Sequence, residues 1–287
     1  MSITTAVQRP TVDEVRRLNF SQTVGLVNEP NMCSGGAATL RTILRETPGL
    51  GAGDRILEVG SNTGFSVLEL ASSSHCEVHG IDIEDSSVEF SKAKATALGL
   101  ANAHFKVGDG TRIEYPDGHF SMLFASNVTS FIPDRRRAVD EYYRVLERFG
   151  VLAAVPIFYH RQPPAALLAE VEQAIGAPLP RWSRADWEEM FGRPGSELFF
   201  SEEYEYDYLT AAQIDAYVAA VLDQPCNDDM SEELKEAAGR RLHYFYTLFN
   251  ENLAYTRYAI LLYRKGQPTA FPVLHTSSAV AGTAIRR

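Results

Sequence analysis

The chain is short of several things, and each shortage narrows what it does. Among its 287 residues there are three cysteines, Cys33, Cys76 and Cys226, odd in number, far apart and without a C-x-x-C spacing. That pattern argues against a disulfide framework and against a zinc site, and it fits a reducing cytoplasm. No apolar run reaches the roughly 18–20 residues that span a bilayer, and the opening MSITTAVQRPTVDEV has no apolar signal core. A soluble cytoplasmic protein is expected, with no membrane partner. Basic clusters are absent apart from Arg135-Arg136-Arg137, and the net charge is −10 with a pI near 5.2. A phosphate-tracking surface needs a basic stripe, so nucleic acid is excluded as a partner and a small molecule is expected instead. No internal repeat breaks the chain into units. His104, His119, His160 and His243 fall on separate elements without H-x-x-x-H spacing, so no metal is expected.

What is present is an alternation of strand and helix patterns. A helical pattern over 12–27 and a second over 37–46, which stops at Pro48 with glycines beyond, precede the first strand, RILEV (55–59). Helix 63–72, strand EVHGIDI (77–83), helix 86–98, strand HFKVGD (104–109), strand FSMLFAS (120–126), helix 134–146 and strand GVLAAVPI (150–157) follow. Apolar strands separated by helices are buried on both faces, which predicts a parallel sheet wrapped by helices. After Pro163-Pro164 the rhythm changes: helices over 165–175 and 184–191, a strand over 198–210, helices over 211–223 and 231–250, and a last strand, TRYAILLYR (256–264). The expected organisation is a helical N-terminal cap or lid (1–47), a Rossmann-like core (48–160 and 253–265), a substrate-binding insertion (161–252) and a flexible tail (266–287). A twofold partner covering apolar surface of the insertion would make a homodimer; the sequence leaves this open.

The turn after the first strand carries the chemistry. A pyrophosphate calls for G-x-G-x-x-G, so that two phosphates approach the helix N-terminus. Here the turn reads Glu58-x-Gly60-x-Asn62-x-Gly64. Asn62 stands where a middle glycine belongs, and asparagine tolerates left-handed backbone. Such a turn presents N–H groups to a carboxylate, and Glu58 at the strand end holds an ammonium, which together describe an amino acid. Asp82 ends the second strand, where a carboxylate accepts both hydroxyls of a ribose. Ile83 lies against a purine face. Asp109, with Gly110 after it, ends the third strand and accepts an adenine amino group. An amino acid, a ribose and an adenine in that order compose S-adenosylmethionine.

These segments resemble the class I S-adenosylmethionine-dependent methyltransferases, particularly those acting on small molecules. ILEVGSNTG resembles the family's first motif, and GIDIEDSSVEFSKAKA its ribose strand and following helix. VGDGTRIEYPDGHFSMLFAS is similar to the third segment, with Ser121 in place of a common aspartate. FIPDRRRAVDEYYRVLERFGVLAAV resembles the helix and turn before strand five, with ERFG standing for K-P-G-G. The likeness covers about residues 53–157, and TRYAILLYRK falls where the family has an antiparallel seventh strand. It implies a Rossmann-like seven-stranded sheet, mostly parallel, with a helical cap and lid insertion. It also implies in-line methyl transfer within a lidded pocket, with Asn127 and Thr129 at the junction of cofactor and acceptor.

Displacement at a sulfonium needs chiefly alignment and a dry pocket. A base is required only for a poorly nucleophilic acceptor, and His160, just past strand five, is the candidate, with Tyr159 orienting the acceptor. Phe20, Asn31 and Met32 in NFSQTVGLVNEPNMCSGG are expected to contact substrate beneath a lid. YEYDY (204–208) puts three tyrosines, Tyr206 among them, on one strand face, and His243 lies in LHYFYTLF on the long helix. The acceptor atom, N, O or C, is not legible; an acceptor from specialised metabolism is expected. The competing readings are a dinucleotide-dependent oxidoreductase, a methyltransferase of protein side chains and a cofactor-binding scaffold without activity.

Overall fold

The computed structural model describes residues 10–266. The expected tail, 266–287, lies outside the described residues except for Gly266. Eight strands form one sheet: β1 (Arg55–Val59), β2 (Glu77–Asp82), β3 (Ala103–Val107), β4 (Phe120–Ala125), β5 (Leu146–Ala154), β6 (Ile157–Tyr159), β7 (Ser196–Glu205) and β8 (Thr256–Lys265). The first five run parallel in the order β3-β2-β1-β4-β5. β8 runs antiparallel to β5, β6 and β7. Tyr258 pairs with both Ile157 and Tyr204, so β5 and β6 share one edge of β8 and β7 takes the other. Eight strands therefore occupy seven positions across the sheet, because the fifth is broken in two. Pro156 causes the break: it has no N–H to donate to a ladder, and the Pro156 carbonyl accepts from Ala259 N–H instead.

Strand five also begins earlier than its pattern predicts. Phe120 pairs with Leu146 but Met122 pairs with Val151, so the residues between Leu146 and Val151 bulge from the ladder. Phe149 sits in this bulge at φ 69°, a left-handed conformation that an aromatic side chain rarely adopts. Nearby, Ser121, the expected departure from aspartate, donates to Asp54 at 2.7 Å, at the end of β4 away from the carboxyl ends.

Helices α1 (Val12–Val15), α2 (Phe20–Val27), α3 (Gly36–Glu46), α4 (Phe65–Ser73), α5 (Asp85–Ala97), α6 (Arg135–Val145), α7 (Ala165–Ile175), α8 (Arg184–Phe191), α9 (Ala211–Leu222) and α10 (Glu232–Leu253) complete the described chain, with short 3-10 turns at Asn127–Ser130 and Pro225–Asn227. One sheet face buries Ile56, Val78, Met122 and Phe124 against Leu40, Ile43, Val67, Leu70 and Val88 of α3, α4 and α5. The other buries Leu57, Val59, Leu123 and Leu152 against Ala138, Tyr142 and Val145 of α6 and Trp187 and Phe191 of α8. Coverage on both faces is why these strands read as unbroken apolar runs.

The remaining helices form a layer of their own. Val15 and Val27 pack on Ile214, Val218 and Val221 of α9 and on Ala238 and Leu242 of α10. Val171 and Ala174 of α7 pack on Phe245 and Leu248. The single helix expected over 12–27 is instead two. Asn19 accepts from Gln22 N–H at 2.9 Å while the Gln22 side chain accepts from Asn19 N–H at 3.0 Å. This reciprocal capping box starts a new helix at Phe20. The same device, Thr210 with Gln213, starts α9 where the sequence predicts it.

Candidate functional site

The carboxyl ends of β1, β2 and β3 lie side by side, and the turn from β1 into α4 is built around them. Gly60 and Ser61 N–H groups both donate to the Ile81 carbonyl, at 2.8 and 3.0 Å. Asn62 N–H donates to the Asp82 carboxylate at 2.8 Å, and the Asn62 side chain accepts from Thr63 N–H at 2.7 Å. Asn62 adopts φ 42°, the left-handed backbone its residue type permits. Gly60 is at φ 76°, and a Cβ there would stand 2.4 Å from Val128 Cγ2. Gly64, at φ 84°, would bring a Cβ within 3.0 Å of Ser91 and Phe105. Both glycines are demanded by the geometry.

Glu58 is only 4% exposed, and its Oε2 has no hydrogen-bond partner. Burial pushes its carboxyl pKa up to about 8, against the opposing pull of the Ser66 hydroxyl and the Val67 N–H. Ser61 Oγ, in the same turn, is likewise buried and unpartnered. Two buried polar atoms at the first strand end are thus left without partners, which is uncommon for buried polar groups. Glu58 turns inward, toward the start of α4, so a ligand ammonium has one free carboxylate oxygen to meet.

At the second strand end, Asp82 also accepts from Glu84 N–H at 3.0 Å, which fixes its carboxylate beside the turn. Ile83 follows with 70% of its surface exposed, a large apolar side chain left uncovered at a strand mouth. At the third, Asp109 closes a turn by accepting from Thr111 N–H at 2.8 Å, so one of its oxygens serves the local backbone. Gly110 packs tightly, a Cβ there standing 2.9 Å from Val59. Asn127 accepts from the Ser130 hydroxyl at 2.7 Å and from Ile157 N–H at 3.3 Å, tying the end of β4 to β6. Thr129 turns inward, sharing a hydrogen bond of 3.3 Å with the buried Tyr142 hydroxyl, and so faces the core rather than a ligand.

The residues expected to meet substrate are scattered. Phe20 sets its ring edge-on against Phe245, Tyr246 and Phe249, at 5.7, 6.2 and 4.9 Å, as part of the helical core. Met32 is exposed on the loop between α2 and α3. Tyr206 shares a 2.7 Å hydrogen bond with Ser34 of that loop, and its ring lies 5.2 Å from that of Tyr258. The three tyrosines of YEYDY do not share one strand face: β7 ends at Glu205, and Tyr208 is exposed beyond it. His243 sets its Nε2 3.1 Å from the Asp215 carboxylate on the outside of α9 and α10, where it is half exposed. That contact holds it on the surface. Tyr159 donates to Asn252 at 3.3 Å, and burial raises its hydroxyl pKa. His160 is exposed in the turn after β6, its N–H bonded to the Tyr255 carbonyl at 3.1 Å. Among the described residues no three His, Cys, Asp or Glu side chains stand close enough to share a metal ion. No helix of the described residues is long and apolar enough to cross a membrane.

Two contributors escape a reading of the sequence. Val128 fills the space above Gly60, and Glu29, 4% exposed, reaches the turn after β1 through its carbonyl, which accepts from Thr63 Oγ1 at 2.8 Å. The motif that would announce Glu29 does not exist, since its side-chain partner Tyr217 lies 188 residues away.

Residues 50–190 match a family model described as a methyltransferase domain. The chain is similar to the aklanonic acid methyltransferase DauC of Streptomyces sp. strain C5, 33% identical over 110 residues that make 37% of this chain and 50% of that one. It is similar to the 27-O-demethylrifamycin SV methyltransferase of Amycolatopsis mediterranei, 30% identical over 43% of this chain and 46% of that one. The chain thus spans about half the length of these curated relatives. In fold it resembles the crystal structure of the MccD protein, with a TM-score of 0.67 and 22% identity, covering 82% of this chain and 100% of that one. Over residues 50–190, just under half of its length, the chain thus resembles the class I S-adenosylmethionine-dependent methyltransferases, and it shares their fold.

Proposed function

We propose that the protein transfers the methyl group of S-adenosylmethionine to a small-molecule acceptor. The observation that carries this reading is the row of three strand ends. Glu58 offers an unpartnered buried oxygen at β1, Asp82 a fixed carboxylate at β2 beside exposed Ile83, and Asp109 a second oxygen at β3. In that arrangement Glu58 holds the ammonium, Asp82 the ribose hydroxyls, Ile83 the adenine face and Asp109 the adenine amino group. Bound there, the cofactor supplies a methyl group on a sulfonium, already activated for displacement. The protein's task is to align an acceptor atom in line with the leaving sulfur and to exclude water.

The helical layer of α1, α2, α7, α9 and α10 serves as the lid and acceptor-recognising part. Both relatives named above carry small molecules in their names, which supports an acceptor of that class, and a place in specialised metabolism. A dinucleotide-dependent oxidoreductase is disfavoured by Asn62 in the turn and by the matched family. Calorimetric titration with S-adenosylhomocysteine and with NAD separates the two. Binding of the first and indifference to the second is expected; the reverse overturns the proposal.

A further inference from the structure

The loop between α2 and α3 crosses the first strand end as a strap fixed at both ends. At its far end Ser34 is held by Tyr206, and the Ser34 carbonyl accepts from Thr39 Oγ1 at 2.6 Å. At its near end stands Glu29, whose two carboxylate oxygens accept from Asn31 N–H at 2.7 Å and from the Tyr217 hydroxyl of α9. The Tyr246 ring of α10 packs edge-on against Tyr217 at 5.2 Å, with its hydroxyl buried. The Glu29 carbonyl accepts from Thr63, a residue of the cofactor turn with 1% exposure. Between the fixed ends, Asn31 is at φ 42° and Met32 projects into solvent. Cys33 is buried close enough to Glu58 for that carboxylate to oppose ionisation of the thiol.

A buried carboxyl is costly unless its hydrogen bonds are made. Glu29 makes its bonds to three separate pieces of the chain: the strap, the helical layer and, through its main chain, the cofactor turn. We propose that Glu29 is a positioning residue, which through Thr63 and Tyr217 holds the cofactor turn in its binding geometry only while the helical layer is seated over it. Cofactor capture and closure of the layer are then one event. This rests on the methyltransferase reading, since it assigns the turn to the cofactor.

Three variants of the full chain test it: Glu29→Ala, Glu29→Gln and Tyr217→Phe. The readouts are affinity for S-adenosylhomocysteine by calorimetry, its release rate by stopped flow, and amide exchange at Thr63 and Gly64. Loss of one hydrogen bond to a charged group weakens binding by about tenfold or more. Glu29→Ala is expected to show that loss, with faster release and faster exchange in the turn. Glu29→Gln, which keeps an acceptor for Asn31 or Tyr217, is expected to recover most of it. Tyr217→Phe falls between and remains informative if Glu29→Ala fails to fold. Folded Glu29→Ala or Tyr217→Phe with wild-type affinity and release overturns the inference, as does Glu29→Gln failing as badly as Glu29→Ala. A wild-type chain that ignores S-adenosylhomocysteine overturns the methyltransferase reading itself, which is a different result.

Discussion

Asn62 N–H and the Asp82 carboxylate meet at 2.8 Å, joining the ends of the first two strands. One carboxylate thus shapes the turn and faces the position assigned to a ribose. Asp82→Ala loses both roles at once. Hydrogen bonds to charged groups are worth about 1.5–3 kcal/mol each, so affinity for S-adenosylhomocysteine should fall by about 10- to 100-fold in calorimetry. Asp109→Ala should fall by less, because the hydrogen bond Asp109 accepts is from Thr111 in its own turn, and losing it leaves the joint between the first two strand ends intact.

Gly60 has no tolerance for a side chain. Gly60→Ala adds left-handed strain of about 1–2 kcal/mol and a collision with Val128 of about 1–3 kcal/mol. Denaturant unfolding should register a loss of about 2–5 kcal/mol for the single variant. Gly60→Ala with Val128→Ala should recover the collision but not the strain. The cost of Gly60→Ala should therefore be smaller on a Val128→Ala background than on the wild type, and equal costs on the two backgrounds would refute this account.

Glu58 predicts a pH dependence of binding. Its folded value, raised to about 8, lies above the ordinary 4.5, so the free protein carries it protonated at neutral pH. A cofactor ammonium favours the ionised form, and binding therefore releases a proton. Affinity should climb as pH rises toward 8 and level off above it, and Glu58→Gln should remove the slope. Calorimetry in buffers of different ionisation enthalpy counts the proton. For the free protein the sign reverses: the folded state holds a proton that the unfolded state loses above pH 4.5, so this group's stabilising contribution fades as pH rises from there through 8.

His79 acts in the opposite direction. It sits half-buried on β2, with His104, His119 and Tyr115 around it, and Glu77 and Arg55 near enough to influence its charge. Burial, then His104 and His119, depress its pKa from 6.5 to about 4. The folded state therefore binds fewer protons than the unfolded one in that window, and stability falls as pH drops from 6.5 toward 4. His79→Phe should flatten the acid limb of melting temperature against pH; an unchanged limb would show that the histidine is not the cause.

The sheet was legible because its strands are buried on both faces and read as apolar runs, and α8 and α9 because their capping boxes stand in the sequence. The turn after β1 was legible because Gly60, Asn62 and Gly64 answer to backbone angles, which are local. The substrate residues were not. Phe20 and Tyr206 were picked for residue type and position, yet their contacts to α10 and Ser34 depend on pairings far along the chain. The break in strand five was missed, since the apolar run GVLAAVPI reads straight through Pro156, and so was its early start, because the bulge around Phe149 interrupts the apolar pattern that marks a strand. Glu29 gave no local sign at all.

β6 and β8 meet where Tyr159 faces Thr256, and His160 N–H reaches the Tyr255 carbonyl. The ninety-odd residues between them therefore depart from and return to one spot on the sheet. Part of that segment is nevertheless stitched back into the sheet, β7 along β8 and α8 through Trp187 and Phe191, so it is α7, α9 and α10, packed in clusters of their own, that stand clear of the sheet's core.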